Sequence, residues 1–309
     1  MQNKINTQVK IGKLKLKNPV MTASGTFGYG LEFEKFFDLS KLGAIIVKGL
    51  SLAPVKGNPP QRIVETPAGM LNAIGLQNIG VKNFISEKLP LLKKYKTPVI
   101  VNVYGRKIEE YIEVANILND TEVEGIELNI SCPNVKKGGM QFASDKKAIE
   151  KIIKGIKNKF GRTIIVKLSP NTGNIEDIAL YCEKCGADAV SLINTITGMA
   201  IDINTRKPVL ANVFGGLSGP AIKPMALAAV YKVAKKVKIP VIGIGGILDY
   251  KDALEFLIAG ATAVQIGTAN FIDPLTCVKV INGIKDYLKE NKIYDIREII
   301  DSMGFDNRI

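Results

Sequence analysis

The chain of 309 residues contains no histidine. This absence excludes Ser-His-Asp and Cys-His nucleophilic mechanisms, and it excludes every zinc site that needs a histidine ligand. Any proton transfer must therefore use Cys, Lys, Tyr, Asp or Glu. No metal site is predicted.

Long apolar runs are also missing. The apolar segments, such as residues 240–247, are short and interrupted by glycine, so no stretch of about 20 apolar residues predicts a membrane-spanning helix. The opening residues, MQNKINTQVK, lack the apolar stretch of a signal peptide. We therefore expect a cytoplasmic protein that does not contact a membrane.

Cysteine is scarce, and basic residues are in excess. Four cysteines are too few for a disulfide framework in so long a chain, and a reducing compartment would keep them as thiols. The formal net charge is +13, but the lysines are spread along the chain without an aromatic-interleaved basic motif, so nucleic-acid binding is not favoured. A basic surface equally suits an anionic substrate, a phosphate-bearing cofactor or an acidic partner subunit.

A repeated helix-to-strand pattern dominates the chain. An amphipathic segment ends at a glycine, and a short β-branched run follows it, at Gly43, Gly125, Gly186 and Gly260. We expect each glycine to end a helix in the left-handed conformation, and each following strand to be buried on both faces. Three further strands open at a proline, where no ladder donor is needed: Pro19, Pro98 and Pro240.

Eight strands result from this pattern, and they predict an α/β fold of the (β/α)8 TIM-barrel type. The strands are predicted at 19–23, 44–48, 98–102, 125–130, 163–168, 187–193, 240–244 and 262–267. Helices are predicted at 108–118, 148–159, 224–236 and 249–259. The alternating residues 9–17 predict an N-terminal β-hairpin that closes the bottom of the barrel. A doubly wound sheet is the alternative, but no GxGxxG follows an early strand, and no linker divides residues 1–309, so we expect a single domain.

Polar side chains stand where the predicted strands end, and a TIM barrel carries its active site at that edge. These residues are Ser24, Lys48, Asn102, Asn129, Lys167 and Asn194, followed by Gly245, Gly246, Gly267 and Thr268. Any one of them could simply cap a turn. Together, two lysines and three asparagines suit a planar, anionic, amide-rich ligand, and the glycines after strands seven and eight suit a phosphate.

The segment from Asn129 to Asn134, NISCPN, leaves the fourth strand. A cysteine before proline lies on extended backbone, and nearby lysines would lower the pKa of Cys132 from its ordinary value of about 8.5. Cys132 is therefore a candidate thiolate base, and an inert buried thiol is the alternative. The adjacent pair Gly138 and Gly139 would let residues 135–145 open and close over a substrate.

The remaining cysteines offer a CxxC pair, Cys182 and Cys185, late in a predicted helix. Because no second pair completes four ligands, we interpret them as packing or surface thiols rather than a redox or metal site. Cys277 is interpreted as structural.

Three motifs resemble those of the dihydroorotate dehydrogenases, and the similarity runs through nearly the whole chain. They are NPVMTASGTFG at 18–28, GMLNAIGLQN at 69–78 and NISCPNV at 129–135. The resemblance implies an FMN-dependent TIM barrel that oxidises dihydroorotate to orotate in pyrimidine biosynthesis.

The resemblance also implies the residues of the site. FMN would be held by Ser24, Lys48, Gly49, Asn102, Asn129, Lys167, Ile193 and Gly219, with its phosphate at Gly245, Gly246, Gly267 and Thr268. The substrate would contact Lys48, Asn72, Ala73, Ile74, Gly75, Leu76, Asn129, Asn134, Asn194 and Thr195. Cys132 would remove a proton from carbon 5 while a hydride leaves carbon 6 for the flavin, and Lys167 would stabilise the anionic reduced ring.

Within the family, the stretches NVKKGGM and GTFG look most like the NAD-linked class. That class implies a homodimer of this chain in a heterotetramer with a subunit that carries FAD and a 2Fe–2S cluster. This chain has neither a cysteine cluster nor a dinucleotide fingerprint for those groups. The alternatives are a fumarate-coupled homodimeric enzyme, a flavin barrel that reduces other pyrimidines, and a non-catalytic barrel that binds phosphate or nucleotide.

Overall fold

The computed structural model describes residues 5–130 and 143–304. Its central sheet has eight parallel strands, and no end of a strand differs by more than two residues from its predicted position. The strands are β1 (Val20–Thr22), β2 (Ile45–Leu50), β3 (Val99–Val103), β4 (Gly125–Asn129), β5 (Thr163–Lys167), β6 (Ala189–Leu192), β7 (Val241–Ile244) and β8 (Ala263–Ile266). Their order in the sheet is β1-β8-β7-β6-β5-β4-β3-β2.

The two end strands of this sheet, β1 and β2, meet and close the barrel. Met21 and Ala44 form a parallel bridge. The hydroxyl of Thr22 accepts a hydrogen bond from the Ile46 amide at 2.9 Å, so a side chain replaces part of the backbone ladder. The predicted TIM barrel is confirmed.

Helices alternate with the strands and cover the outside of the barrel. They are α1 (Val81–Asn83), α2 (Leu89–Leu92), α3 (Ile108–Asn119), α4 (Lys146–Lys157), α5 (Ile175–Cys185), α6 (Lys223–Ala234), α7 (Tyr250–Ile258), α8 (Ala269–Ile272) and α9 (Thr276–Glu290). A π-helical turn, Phe84–Lys88, joins α1 to α2. Single turns of 3-10 helix lie at Leu31–Phe33, Leu39–Lys41, Lys93–Tyr95, Pro220–Ile222 and Ile296–Glu298.

The sequence of α4 explains why such a helix forms and packs here. Its isoleucines and alanine recur on one face and are buried against the barrel, while its lysines and glutamate face outward. The side chain of Asp145 accepts a hydrogen bond from the Ala148 amide at 3.1 Å and caps the first turn. The four predicted helices correspond to α3, α4, α6 and α7.

The glycines that end the predicted helices behave in two ways. Gly186 and Gly260 have φ values of +102° and +107°, so the left-handed helix stop is confirmed there. The same expectation is wrong for Gly43 and Gly125, which do not have positive φ. Gly43 is needed for close approach instead, because a Cβ atom there would lie 2.3 Å from the carbonyl oxygen of Asn18.

The predicted N-terminal hairpin is present and closes the bottom of the barrel. Its antiparallel strands are Val9–Ile11 and Leu14–Leu16. The Lys13 amide donates a hydrogen bond to the hydroxyl of Thr163, the first residue of β5, at 3.0 Å. The hairpin therefore lies at the end of the barrel opposite the strand termini that carry the polar residues.

A second sheet, which the sequence did not predict, lies at the carboxyl end of the barrel. Its four antiparallel strands are ordered Ile196–Met199, Phe214–Ser218, Gly69–Asn72 and Ile63–Thr66. A separate ribbon pairs Ile201–Asp202 with Lys207–Pro208. The sheet places residues from two distant parts of the chain beside the barrel mouth.

Membrane insertion through a helix finds no support in the described ranges. None of the helices within residues 5–130 and 143–304 combines the length and the apolar character that crossing a bilayer requires.

Candidate active site

A cavity of about 570 Å³ opens at the carboxyl ends of the barrel strands, within the size range of ligand sites. All twelve residues predicted to hold the cofactor line it: Ser24, Lys48, Gly49, Asn102, Asn129, Lys167, Ile193, Gly219, Gly245, Gly246, Gly267 and Thr268. The ends of separate strands thus supply one continuous wall.

Most of the residues predicted to contact the substrate line the same cavity. These are Lys48, Asn72, Ile74, Gly75, Leu76, Asn129, Asn194 and Thr195. Ala73 does not line it. Residues alternate in extended chain, so the Ala73 side chain points to the face opposite those of Asn72 and Ile74 and packs with Leu71 and Leu210. Cys132 and Asn134 lie outside the described residues.

The floor of the cavity contains a buried lysine between two polar partners. Lys167 Nζ lies 3.3 Å from Ser24 Oγ and 3.8 Å from a carboxylate oxygen of Glu127. Lys167 is 5% exposed and Glu127 is fully buried. Beside them, the Asn194 side-chain amide donates to Asn129 Oδ1 at 3.3 Å.

The described wall of the cavity is electropositive. Lys48 and Lys167 line it, and no carboxylate does so among the residues that the structure describes. Burial lowers the pKa of Lys48, the positive charge of Arg62 lowers it further, and the carboxylate of Glu32 opposes them. An anionic ligand would restore charge balance at this amine.

The glycines after β7 form a narrow backbone cradle. Gly245 and Gly246 have φ values of +130° and +73°, which favour glycine. A Cβ atom on Gly246 would lie 2.7 Å from Lys223 Cβ and 3.0 Å from the Gly219 carbonyl oxygen. The cradle therefore depends on the absence of side chains at this corner.

The loop of residues 72–78 is held at the cavity by a buried amide. The Asn78 side chain donates hydrogen bonds to Ser51 Oγ and Tyr104 OH, both at 3.0 Å, and to the Leu76 carbonyl oxygen at 2.9 Å. Leu76 has a φ of +58°, a conformation that is uncommon outside glycine. The network fixes the loop in that conformation beside the cavity.

Comparison with known proteins identifies the family. The dihydroorotate dehydrogenase family model matches residues 6–288. The chain belongs to the dihydroorotate dehydrogenase family. The resemblance seen in the three sequence motifs is thereby confirmed.

Curated relatives in this family are similar over almost the entire chain. A protein of Geotalea uraniireducens (strain Rf4) is 57% identical over 301 residues, which are 97% of this chain and 99% of the relative. One of Thermoanaerobacter sp. (strain X514) is 58% identical over 302 residues, covering 98% and 100%. One of Thermodesulfovibrio yellowstonii is 56% identical over 296 residues, covering 96% and 98%. Each is named dihydroorotate dehydrogenase B (NAD(+)), catalytic subunit.

Several lining residues of this dihydroorotate dehydrogenase were not predicted from the sequence. Asn171 and Thr197 join the wall, with the Asn171 amide donating to the Thr195 carbonyl oxygen at 2.9 Å. Ser218 accepts a hydrogen bond from Thr268 Oγ1 at 2.8 Å. These residues lie in loops and in the second sheet, where no strand-end rule applies.

The three described cysteines are poor candidates for a base. Cys182 and Cys185 are buried in α5, which supports packing over a surface role, and Cys277 is buried in α9. Burial raises the pKa of Cys182 and of Cys185, and it raises the pKa of Cys277 to about 12. The thiol proposed for proton transfer is therefore the remaining one, Cys132.

Proposed function

We propose that this chain is the catalytic FMN subunit of an NAD-linked dihydroorotate dehydrogenase, which oxidises dihydroorotate to orotate in pyrimidine biosynthesis. One observation carries the proposal: all of the predicted cofactor residues and most of the predicted substrate residues line the same cavity. The relatives named dihydroorotate dehydrogenase B (NAD(+)), catalytic subunit, which are 56–58% identical, support the activity and the acceptor. The family is flavin-dependent.

The residues of the cavity fit FMN. The pyrimidine portion of the flat flavin ring carries amide-like N–H and C=O groups, which the side chains of Asn102 and Asn129 complement with donors and acceptors. Lys167 provides the positive charge that favours the reduced, anionic ring, and the backbone cradle at Gly245 and Gly246 provides close approach for a phosphate. FMN, when bound, supplies the acceptor for the hydride.

The substrate would lie on the side of the cavity where Lys48 meets the loop of residues 72–78. Dihydroorotate is a small ring of amides with one carboxylate. The Lys48 ammonium would pair with the carboxylate, and the amides of Asn72, Asn129 and Asn194 would bind the ring. These groups would hold the ring in one orientation on this side of the cavity.

We assign the proton transfer to Cys132, whose thiolate would take the proton from carbon 5 of the substrate. The segment that carries it follows directly on Asn129, which lines the cavity at the end of β4. With no histidine in the chain, a thiol whose own sequence segment also carries Lys136 and Lys137 is the base best matched to neutral pH.

The electrons would leave through a partner. The words "catalytic subunit" in the names of the relatives support a second subunit. We propose that it carries FAD and a 2Fe–2S cluster and joins a homodimer of this chain in a heterotetramer. A cytoplasmic location stays a prediction.

The purified chain tests the proposal directly. It should be yellow, contain one FMN per chain and be bleached anaerobically by dihydroorotate. Dihydrouracil, which lacks the carboxylate, should bleach it far more slowly. A colourless protein that does not take up FMN would favour a non-catalytic barrel, and rapid reoxidation by fumarate would favour the fumarate-coupled class.

A further inference from the structure

Glu127 lies in the middle of β4 with its side chain inside the barrel, below the cavity that it does not itself line. One carboxylate oxygen accepts a hydrogen bond from the Asn102 side-chain amide at 2.7 Å. The other accepts from Ser191 Oγ at 2.8 Å and from Gln265 Nε2 at 2.6 Å. Four strands, β3, β4, β6 and β8, are thus joined at one buried group.

The contacts of Glu127 suit a carboxylate. Amide nitrogens donate to both of its oxygens, and the Lys167 ammonium lies 3.8 Å from one of them. Among the described residues, Glu127 is the one buried acid and Lys167 the one buried base. They form the charge pair of the barrel interior.

Through these contacts Glu127 fixes two groups that do face the cavity. The carboxylate holds the side-chain nitrogen of Asn102, so the side-chain oxygen, Oδ1, is turned toward Gly49. A Cβ atom added to Gly49 would lie 2.8 Å from this oxygen. The ammonium of Lys167 is held between Glu127 and Ser24. Glu127 therefore determines both the orientation of the Asn102 side chain and the net charge at the floor of the cavity.

We propose that Glu127 is a positioning residue that holds Asn102 and Lys167 and lowers the reduction potential of the flavin bound above them. The inference rests on the proposed function, since it takes FMN as the ligand. Two-electron reduction by hydride adds negative charge to the ring. Lys167 favours that charge, and the Glu127 carboxylate offsets part of the effect. The lower potential makes onward transfer to a weak oxidant such as NAD more favourable.

The test compares two variants that disturb the same network. Glu127→Gln removes the charge but keeps the shape, and Ser191→Ala removes one neutral donor to the same carboxylate. Neither side chain lines the cavity. The measurement is the two-electron reduction potential of bound FMN, by anaerobic spectroelectrochemistry, with the affinity for oxidised FMN measured in parallel.

We expect Glu127→Gln to shift the potential in the positive direction and Ser191→Ala to leave it near that of the unaltered protein. The shift should reflect an approximately ten-fold gain in the affinity for reduced over oxidised FMN, equivalent to about 30 mV for a two-electron couple. Equal potentials in all three proteins, or equal shifts in both variants, would overturn the inference.

A third variant keeps the test decisive if Glu127→Gln does not fold. Glu127→Asp retains the charge and moves it away from Lys167 by one methylene, so a smaller positive shift is expected, and an unchanged potential would contradict the inference. Failure here is distinct from failure of the proposed function. In the former the unaltered protein binds FMN, is reduced by dihydroorotate and is not rapidly reoxidised by fumarate. In the latter at least one of these three results is absent.

Discussion

Lys167 Nζ lies 3.3 Å from Ser24 Oγ, although 143 residues separate them in the chain. Lys167 ends β5, and Ser24 follows β1, with three strands between β1 and β5 in the barrel. Parallel strands end at one edge of a barrel, so residues far apart in sequence converge there. This convergence lets short polar motifs, each weak alone, form one binding wall.

The first expectation concerns that lysine. Lys167→Met should weaken the binding of FMN by at least about ten-fold, or roughly 1.4 kcal/mol, because the ring loses its buried cation. The measurement is the Kd for FMN of the apoprotein, by quenching of flavin fluorescence. Lys184→Met, at an exposed position of α5, is the matched control and should bind FMN normally. Unchanged affinity in Lys167→Met would contradict the assignment.

The glycine cradle gives a second expectation. In Gly246→Ala, the alanine would have to adopt a φ of +73°, and its Cβ atom would lie 2.7 Å from Lys223 Cβ. The loop must therefore shift. The strain should be about 1–3 kcal/mol, and it should appear as a lower affinity for FMN. Gly161→Ala is the control, because nothing lies within 4 Å of its added Cβ atom. If both variants bind FMN alike, the phosphate does not use this corner.

A third expectation is a pH dependence set by Lys48. Burial lowers the pKa of this amine, aided by Arg62. The ammonium is charged below that pKa and neutral above it, so the affinity for the orotate anion should fall as pH rises. The fall should begin below the ordinary lysine value of about 10.4. Orotate titrations followed by the flavin spectrum would measure it, and Lys48→Met should remove the dependence. Constant affinity up to that pH would argue against a Lys48–carboxylate contact.

Much of the fold was predictable because its signals are local. Strands buried on both faces read as short apolar runs, and each is bounded by glycine or proline. The second sheet was not predicted because Asn72 pairs with Gly216, a contact between distant segments that no local pattern reveals. Thr66 pairs with Gly69 across a two-residue turn, so the proline-containing turn at 67–68 was the available signal for one hairpin.

The site was predictable where it follows strand ends and not where it lies inside a strand. Glu127 was not predicted because the strand-end rule applies to the end of β4, two residues further on. A charged residue within an otherwise apolar, doubly buried strand is itself unusual, since an unpaired charge there is costly. That signal, present in the stretch GIELN, could have pointed to the buried network.

A fourth expectation concerns the stability of α7, which follows the glycine cradle of Gly245 and Gly246 in the chain. Burial raises the pKa of Asp252, but hydrogen bonds from Lys223 and from the amides of Leu248 and Asp249 outweigh it and leave the pKa below its ordinary value. The carboxylate therefore stabilises the fold above its unfolded pKa of about 3.9, and this contribution is lost as pH falls through the folded pKa.

Asp252→Asn should accordingly cost roughly 1.5–3 kcal/mol at neutral pH, the usual range for hydrogen bonds to a charged group, and the deficit should shrink in acid. Thermal denaturation at several pH values would measure it. Asp286→Asn, on an exposed face of α9, should change little at any pH. A deficit that stayed constant down to about pH 3 would show that the charge of Asp252 is not responsible.

The most direct measurement is the rate at which dihydroorotate bleaches bound FMN in a single anaerobic turnover of Cys132→Ala. We expect the variant to bind FMN normally and to be reduced more slowly by about 100-fold or more, the usual range for loss of a general base. Cys185→Ala, which alters a buried thiol of α5, should be reduced at the normal rate. A normal rate in Cys132→Ala would contradict the assignment of the proton to that thiol.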